Sequence, residues 1–277
     1  MGWSMNHLGS FSKAGLVRSG VTAISEPTDG ILKISGPPPK GDPAGAAAIA
    51  LSPRAQGMVI GSGNKGSRIV WVRLKAQFTN LFIVSVYLPH KARKCAPFQE
   101  DTLRDLQSLL RITPAKGDCI IVMGDMNAKL ARSQQGITGK YCMHAKADSG
   151  GEGLTEVMQA FHLSAASTYF CPPRKAPLGQ ATYRPKVSEH TPSQIDYVLI
   201  SQRWLSSVRS SKVEWRHSIA RFGHPWDHSM ISVNLDMRIN NVKARRSRPD
   251  RKWLEDEGNA RTFKAKSNLG HEREYIY

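Results

Sequence analysis

Residues 119–125 read CIIVMGD, a short run that is apolar on both alternating sets of positions, follows PAKGD and stops at an acid. Strands wetted on one face alternate apolar and polar residues, whereas a run apolar at every position is a strand covered on both sides. The segment therefore predicts a buried strand that follows a helix, inside a layered α/β domain with sheet in the middle and helices outside. Asp125 falls at the C-terminal end of that strand, with Asn127 two residues on.

The neighbouring patterns agree with such a layer. IVWVRLK (69–75) and LFIVSVYLP (81–89) are rich in β-branched and aromatic residues and predict a hairpin turning at Phe78, Thr79 and Asn80. Pro97 opens a helix in which Phe98, Leu103, Leu106 and Leu110 share a face. A second helix places Leu154, Val157, Met158 and Phe161 at i, i+3, i+4 and i+7. LSAASTYF, ATYRP, QIDYVLIS, KVEWRHSI and SMISVNLDM are five further strand candidates. GSGNKG (61–66) resembles a phosphate cradle only in composition and, because it precedes a strand, reads as a hairpin turn.

Three regions follow. Residues 1–44, rich in Gly, Ser and Pro, read as a disordered or divergent leader; 45–237 as the working domain; 238–277 as a basic C-terminal extension. The 277 residues are 40% apolar, enough for one sizeable core, and no apolar run reaches the roughly 18 to 20 residues of a membrane span. With no secretory signal pattern, an intracellular monomer is expected, nuclear if its substrate is chromosomal DNA. Cys95, Cys119, Cys142 and Cys171 form no C-x-x-C pair and read as reduced thiols. A formal charge of +17 favours polyanionic partners, DNA first and RNA second.

Asp125 and Asn127 project to one face of a strand end, where they can hold a water, a cation or a phosphate oxygen; a plain turn is the alternative reading. Asp196 interrupts the apolar run of SQIDYVLIS and needs a donor there, for which His228 is the candidate; Asp227 precedes His228 in PWDHSM. An acid that orients an imidazole, beside further acids and an amide, suits metal-assisted hydrolysis of a phosphodiester. His217, His224 and His228 lack zinc-site spacing because Pro225 intervenes, and Cys142 and His144 have no matching partners. Trp204 and Trp215 read as packing residues, and Arg245, Arg246, Arg248, Arg251 and Lys252 fit either a nucleic-acid contact or a solvated linker.

GDMNA, IDYVLIS and WDHSM, with SVYLP upstream, resemble in order and spacing the motifs of the endonuclease/exonuclease/phosphatase superfamily, the deoxyribonuclease I-like proteins. The stretch from YCMHAKADSGG to QIDYVLISQRW is most similar to the endonuclease domain of non-LTR retrotransposon polyproteins. The resemblance implies a four-layer α/β/β/α sandwich lacking its N-terminal strands, and hydrolysis dependent on Mg²⁺ or Mn²⁺. It implies that Asp125 orients or deprotonates the attacking water, Asn127 positions it, and His228, held by Asp196, stabilises phosphoryl charge. Tyr87 would donate to the phosphate and Asp227 would serve the metal. Two family features are missing: a first strand ending in Asn, and a second ending in Gln-Glu whose Glu binds metal. Before position 100 the chain has only Glu26, and Trp226 replaces a small residue before Asp227. A DNA endonuclease, a catalytically inactive nucleic-acid-binding remnant, and a phosphatase or phosphodiesterase on the same fold all remain compatible with this pattern.

Overall fold

The computed structural model describes residues 3–4, 8–10, 31–34, 47–90, 96–174, 178–185, 191–214 and 228–237. Its centre is a six-stranded sheet. Strand β4 (Ala48–Leu51) and the single turn α1 (Pro53–Gln56) lead into β5 (Val59–Lys65), β6 (Ile69–Leu74) and β7 (Leu81–Tyr87). Helix α2 (Ala96–Ile112) then crosses to β8 (Cys119–Asp125), and α3 (Ser149–Ala160) leads to β9 (Leu163–Ala165) and β10 (Asp196–Ser201). The order across the sheet is β5-β6-β7-β8-β10-β9, with β7 and β8 parallel and the other pairs antiparallel.

Alternation along the central strands separates two cores. Phe82, Val84, Val86, Val122, Tyr197 and Leu199 face α2 and α3, meeting Leu106, Leu110, Leu154 and Val157. The alternate positions, among them Ile83, Ile121, Met123, Val198 and Ile200, face a second layer. That layer is built of two short three-stranded sheets, one holding β4 and the other the antiparallel partners β11 (Val208–Glu214) and β12 (Met230–Leu235), which together stand as the second sheet of the sandwich. Each large apolar side chain buried this way contributes about 1.5–3 kcal/mol, so both faces of the CIIVMGD strand are stabilised.

The hairpin, both helices and the buried strand lie where the pattern placed them. ATYRP makes only isolated bridges, from Tyr183 to Ser193 and to His228, and LSAASTYF is a strand over Leu163–Ala165 before a 3-10 turn at Ala166–Tyr169. GSGNK belongs to β5 rather than to a turn. A Cβ on Gly63 would sit 3.0 Å from the Trp71 indole, so the small residues there leave room for that ring. Within residues 1–44, β1 (Trp3–Ser4) pairs with β12, and β2 (Leu8–Ser10) and β3 (Ile31–Ile34) flank β4. Short strands thus do occur in the segment read as a leader. Among the described residues, the two long helices lie on one side of the central sheet, and the second strand layer, with α1 packed into the same core through Ala55, lies on the other. Among them, no helix is long and apolar enough to cross a membrane. The chain divides into Met1–Asn241 and Val242–Tyr277, and the second part, with the basic cluster from Arg245 to Lys252, lies outside the described residues.

Candidate active site

Strand register brings three sequence candidates side by side. Tyr87 is the partner of Asp125 in the parallel β7–β8 ladder, and Asp196 is its partner in the antiparallel β8–β10 ladder. Side chains alternate along a strand, so Tyr87, Asp125 and Asp196 share the face that looks toward the second sheet, in step with Ile83, Met123 and Val198. From the second sheet comes His228, two residues ahead of β12. The site is therefore the mouth between the two sheets, at one end of both.

The hydrogen bonds are directional. His228 Nδ1 lies 3.0 and 3.2 Å from the two oxygens of Asp196, and its Nε2 is 3.9 Å from Asp125 Oδ2. A carboxylate on Nδ1 selects the tautomer with the proton on that nitrogen and leaves Nε2 toward Asp125. Asp125 is fully buried, and its oxygens accept the backbone N–H of Asn127 at 2.9 Å and the Asn127 side-chain amide at 3.2 Å. The same amide donates to Leu88 O at 2.8 Å. Asn127 takes φ 41°, a left-handed conformation that Asn tolerates better than most residues because its short side chain bonds locally.

Two glycines allow this arrangement. At Gly124, just before Asp125, a Cβ would stand 1.8 Å from Val86 O, so β7 and β8 approach this closely only without a side chain. At Gly151 a Cβ would stand 1.9 Å from Lys129 O, which lets the first turn of α3 pack on the strap that follows Asn127. Asp148 fixes the strap from the same helix: its Oδ1 accepts from Gly151 N at 2.7 Å, as an N-cap, and from Lys129 N at 3.0 Å.

Residues missed in the sequence complete the surroundings. Thr182, fully buried, accepts the backbone N–H groups of Ile195 and Asp196 at 3.0 Å each, while its carbonyl accepts from Ser229 N at 2.7 Å. It thereby ties the start of β10 to the segment bearing His228. The Tyr183 ring lies 4.9 Å from the His228 imidazole, centroid to centroid, at 52°. The available signal was the T-Y pair in ATYRP, which the alternating pattern disguised as a strand. Gln99, 1% exposed, donates to Pro89 O at 2.8 Å, beside the site's supporting loop.

Farther from the mouth, His144 Nε2 is 3.2 Å from both the nitrogen and the oxygen of the Gln194 backbone. Burial pushes its pKa down, against the opposing bond to Gln194. His144 and Cys142 do not join the Asp125 cluster, and Trp204 packs on the second core. Asp227, Trp226, Trp215, His217, His224, Cys95 and Glu26 lie outside the described residues. The donor atoms of Asp125, Asp196 and His228 all fall within 4.8 Å of one another, and among the described residues this is the group able to hold a metal ion.

Two packed sheets with helices on the outer face, and an acid–imidazole cluster at their mouth, define a protein with the deoxyribonuclease I-like fold of the endonuclease/exonuclease/phosphatase proteins. The AP endonuclease LMAP from Leishmania major superposes with TM-score 0.52 at 12% identity, over 74% of this chain and 70% of its own. The 3'-5' exonuclease NExo from Neisseria meningitidis gives 0.51 at 12% identity, over 74% and 80%. Among curated proteins, craniofacial development protein 2 of Bos taurus is 29% identical over 234 residues, covering 80% of this chain and 35% of the relative. The protein of the same name from Tragulus javanicus is 30% identical over 171 residues, 60% of this chain and 28% of the relative. The chain thus spans about a third of the length of these curated relatives. No family model matches it.

Proposed function

We propose that this chain hydrolyses phosphodiesters with the help of a divalent cation and acts on DNA as an endonuclease of the non-LTR retrotransposon kind. The observation that carries the reading is the line Asp196–His228–Asp125 at the mouth between the sheets. The fold, the +17 charge and the motif order support it.

The donor set suits a cation of the Mg²⁺ or Mn²⁺ class, which prefers oxygen ligands and is often held by one or two carboxylates plus water and substrate phosphate. Asp125 and Asp196 are two such carboxylates, and with His228 they bring their donor atoms within 4.8 Å of one another. Asp227, adjacent to His228 in sequence, is the further ligand proposed. When bound, the cation supplies Lewis-acid stabilisation of the charge that grows on phosphoryl oxygen.

The chain's own groups do the rest. Asp125 accepts a hydrogen bond from the attacking water and takes its proton as oxygen bonds to phosphorus. Asn127 holds Asp125 and, through its left-handed backbone, the approach to it. His228, oriented by Asp196, donates from Nε2 to the phosphoryl oxygens when its ring carries a proton on both nitrogens, and the Tyr87 hydroxyl donates to the same group. The bond from phosphorus to the leaving oxygen breaks, and that oxygen is protonated from solvent.

Nicking of supercoiled plasmid with Mg²⁺, with EDTA, and by Asp125→Ala and His228→Ala tests the reading. Cleavage that requires metal and is lost in both variants supports it; nicking that survives either variant overturns it. A second reading, a DNA-binding remnant without activity, is favoured by the lack of any Glu in the metal-capable group among the described residues. In that case folded wild-type protein binds DNA with a steep salt dependence and leaves the plasmid intact.

A further inference from the structure

Asp196 holds one edge of the His228 imidazole through Nδ1, and Nε2 faces Asp125 Oδ2 at 3.9 Å. Those contacts are made by the ring nitrogens; Tyr183 packs against the ring itself. Its ring centroid is 4.9 Å from that of His228, and the 52° tilt belongs to the inclined family of aromatic contacts rather than a parallel stack.

The backbone holding Tyr183 is itself fixed. Tyr183 N donates to Ser193 O at 2.8 Å, and Ser193 N donates back to Tyr183 O at 3.0 Å. An antiparallel bridge joins Tyr183 to His228, and Thr182 O takes the N–H of Ser229. The backbone that carries the ring is therefore tied to both segments it stands between: the one leading into Asp196 and the one bearing His228. A partly buried tyrosine serving only the core would need no such double attachment, and Tyr183 belongs to neither apolar core.

We propose that Tyr183 is a positioning residue for His228, its ring fixing the imidazole plane so that Nε2 stays directed to the Asp125 side of the mouth. This rests on the hydrolase reading for its kinetic consequence but not for its geometry. The ring face does the work, so the hydroxyl is dispensable.

The test compares the wild-type chain with Tyr183→Phe, Tyr183→Leu and Tyr183→Met. In plasmid nicking with Mg²⁺, Tyr183→Phe stays within about twofold of wild type, while Tyr183→Leu and Tyr183→Met lose about tenfold or more in kcat with KM nearly unchanged, the pattern of a misaligned group. Retention of kcat in folded Leu or Met protein, loss in the Phe variant, or a change confined to KM overturns the proposal. Independently, nuclear magnetic resonance reads the ring-current displacement of the His228 ring protons, which persists in the Phe variant and collapses in the Leu and Met variants. Identical His228 shifts in all four proteins overturn the proposal whether or not the plasmid is cut. A wild-type protein that does not nick defeats the hydrolase reading, and the ring-current comparison then decides the placement of His228 alone. If the Leu variant does not fold, the Met and Phe variants carry the comparison.

Discussion

Asp125 and Asp196 are direct cross-strand partners, one at the end of β8 and the other at the start of β10. Like charges in that relation repel, and a sheet tolerates them only where each has compensating donors. Asp125 receives two from Asn127, and Asp196 receives the imidazole of His228. The pairing concentrates negative charge at the mouth between the sheets, where a cation or an imidazole is held most strongly.

Asp196→Asn tests the orienting role of that carboxylate. The amide keeps the shape of the side chain but can present a donor to Nδ1, favouring the wrong tautomer. A fall of about 10²- to 10⁴-fold in kcat for plasmid nicking, with little change in the thermal unfolding midpoint, is expected by analogy with other acid–imidazole pairs. Equal losses of stability and activity would mean that the pair only holds the fold.

Asn127 combines a left-handed backbone with side-chain bonds to Asp125 and Leu88, and two variants separate these contributions. Asn127→Gly keeps the backbone conformation and loses the bonds. Asn127→Ala loses the bonds and adds the cost of a Cβ at positive φ, so it unfolds in urea at a stability about 1 kcal/mol below that of the Gly variant. Equal stabilities for the two would remove the strain argument.

Gly124→Ala places a Cβ 1.8 Å from Val86 O, a backbone atom that cannot rotate away. The parallel β7–β8 pair must separate next to Asp125, which costs about 4 kcal/mol or more and leaves little folded protein. Circular dichroism and urea unfolding report it directly; a stable Ala variant would show that the strands are farther apart than described.

The buried strand, the hairpin and both long helices were legible in the sequence because each is a local pattern: an apolar run, β-branched runs around a turn, and an i, i+3, i+4, i+7 face. Asp196 and His228 were legible as a pair because a carboxylate in an apolar strand requires a donor. Thr182 and Tyr183 were not, since their importance comes from bridges to Ser193 and His228 that no local period encodes. The role of GSGNK in β5 was hidden for a similar reason: its glycines answer to Trp71 on the adjacent strand. Asp148 carried a weak signal, as an acid ahead of a Gly-rich helix start, but its second bond to Lys129 N depends on the folded strap.

His144 gives the fold a pH dependence of definite sign. Burial first, then Lys129 and Arg132, lower its pKa, against the opposing bond to Gln194 and the charge of Asp148. The folded state thus prefers the neutral ring, while in the unfolded chain the imidazole binds a proton near its ordinary value of 6.5. Its contribution is complete above that pH and is lost as pH falls below it. Urea midpoints measured at about pH 7.5 and 5.5 fall less in His144→Gln than in wild type. An equal fall in both would place the acid sensitivity elsewhere.

The described cysteines differ enough for chemistry to distinguish them. Burial pushes the Cys119 thiol up to about 12, although Arg203 pulls it down, and burial likewise raises Cys142; Cys171 is exposed. The thiolate is the reactive form, so at pH 8 the Cys119 thiolate fraction is about one part in 10⁴. Peptide-level maleimide labelling of native protein therefore modifies Cys171 at least about tenfold faster than Cys119 or Cys142. In urea the three rates converge, because the slow pair is protected by β8 and by the strap bond from Cys142 Sγ to Leu130 O rather than by any intrinsic inertness. Rapid native labelling of Cys119 would mean that β8 opens far more readily than a strand buried on both faces should.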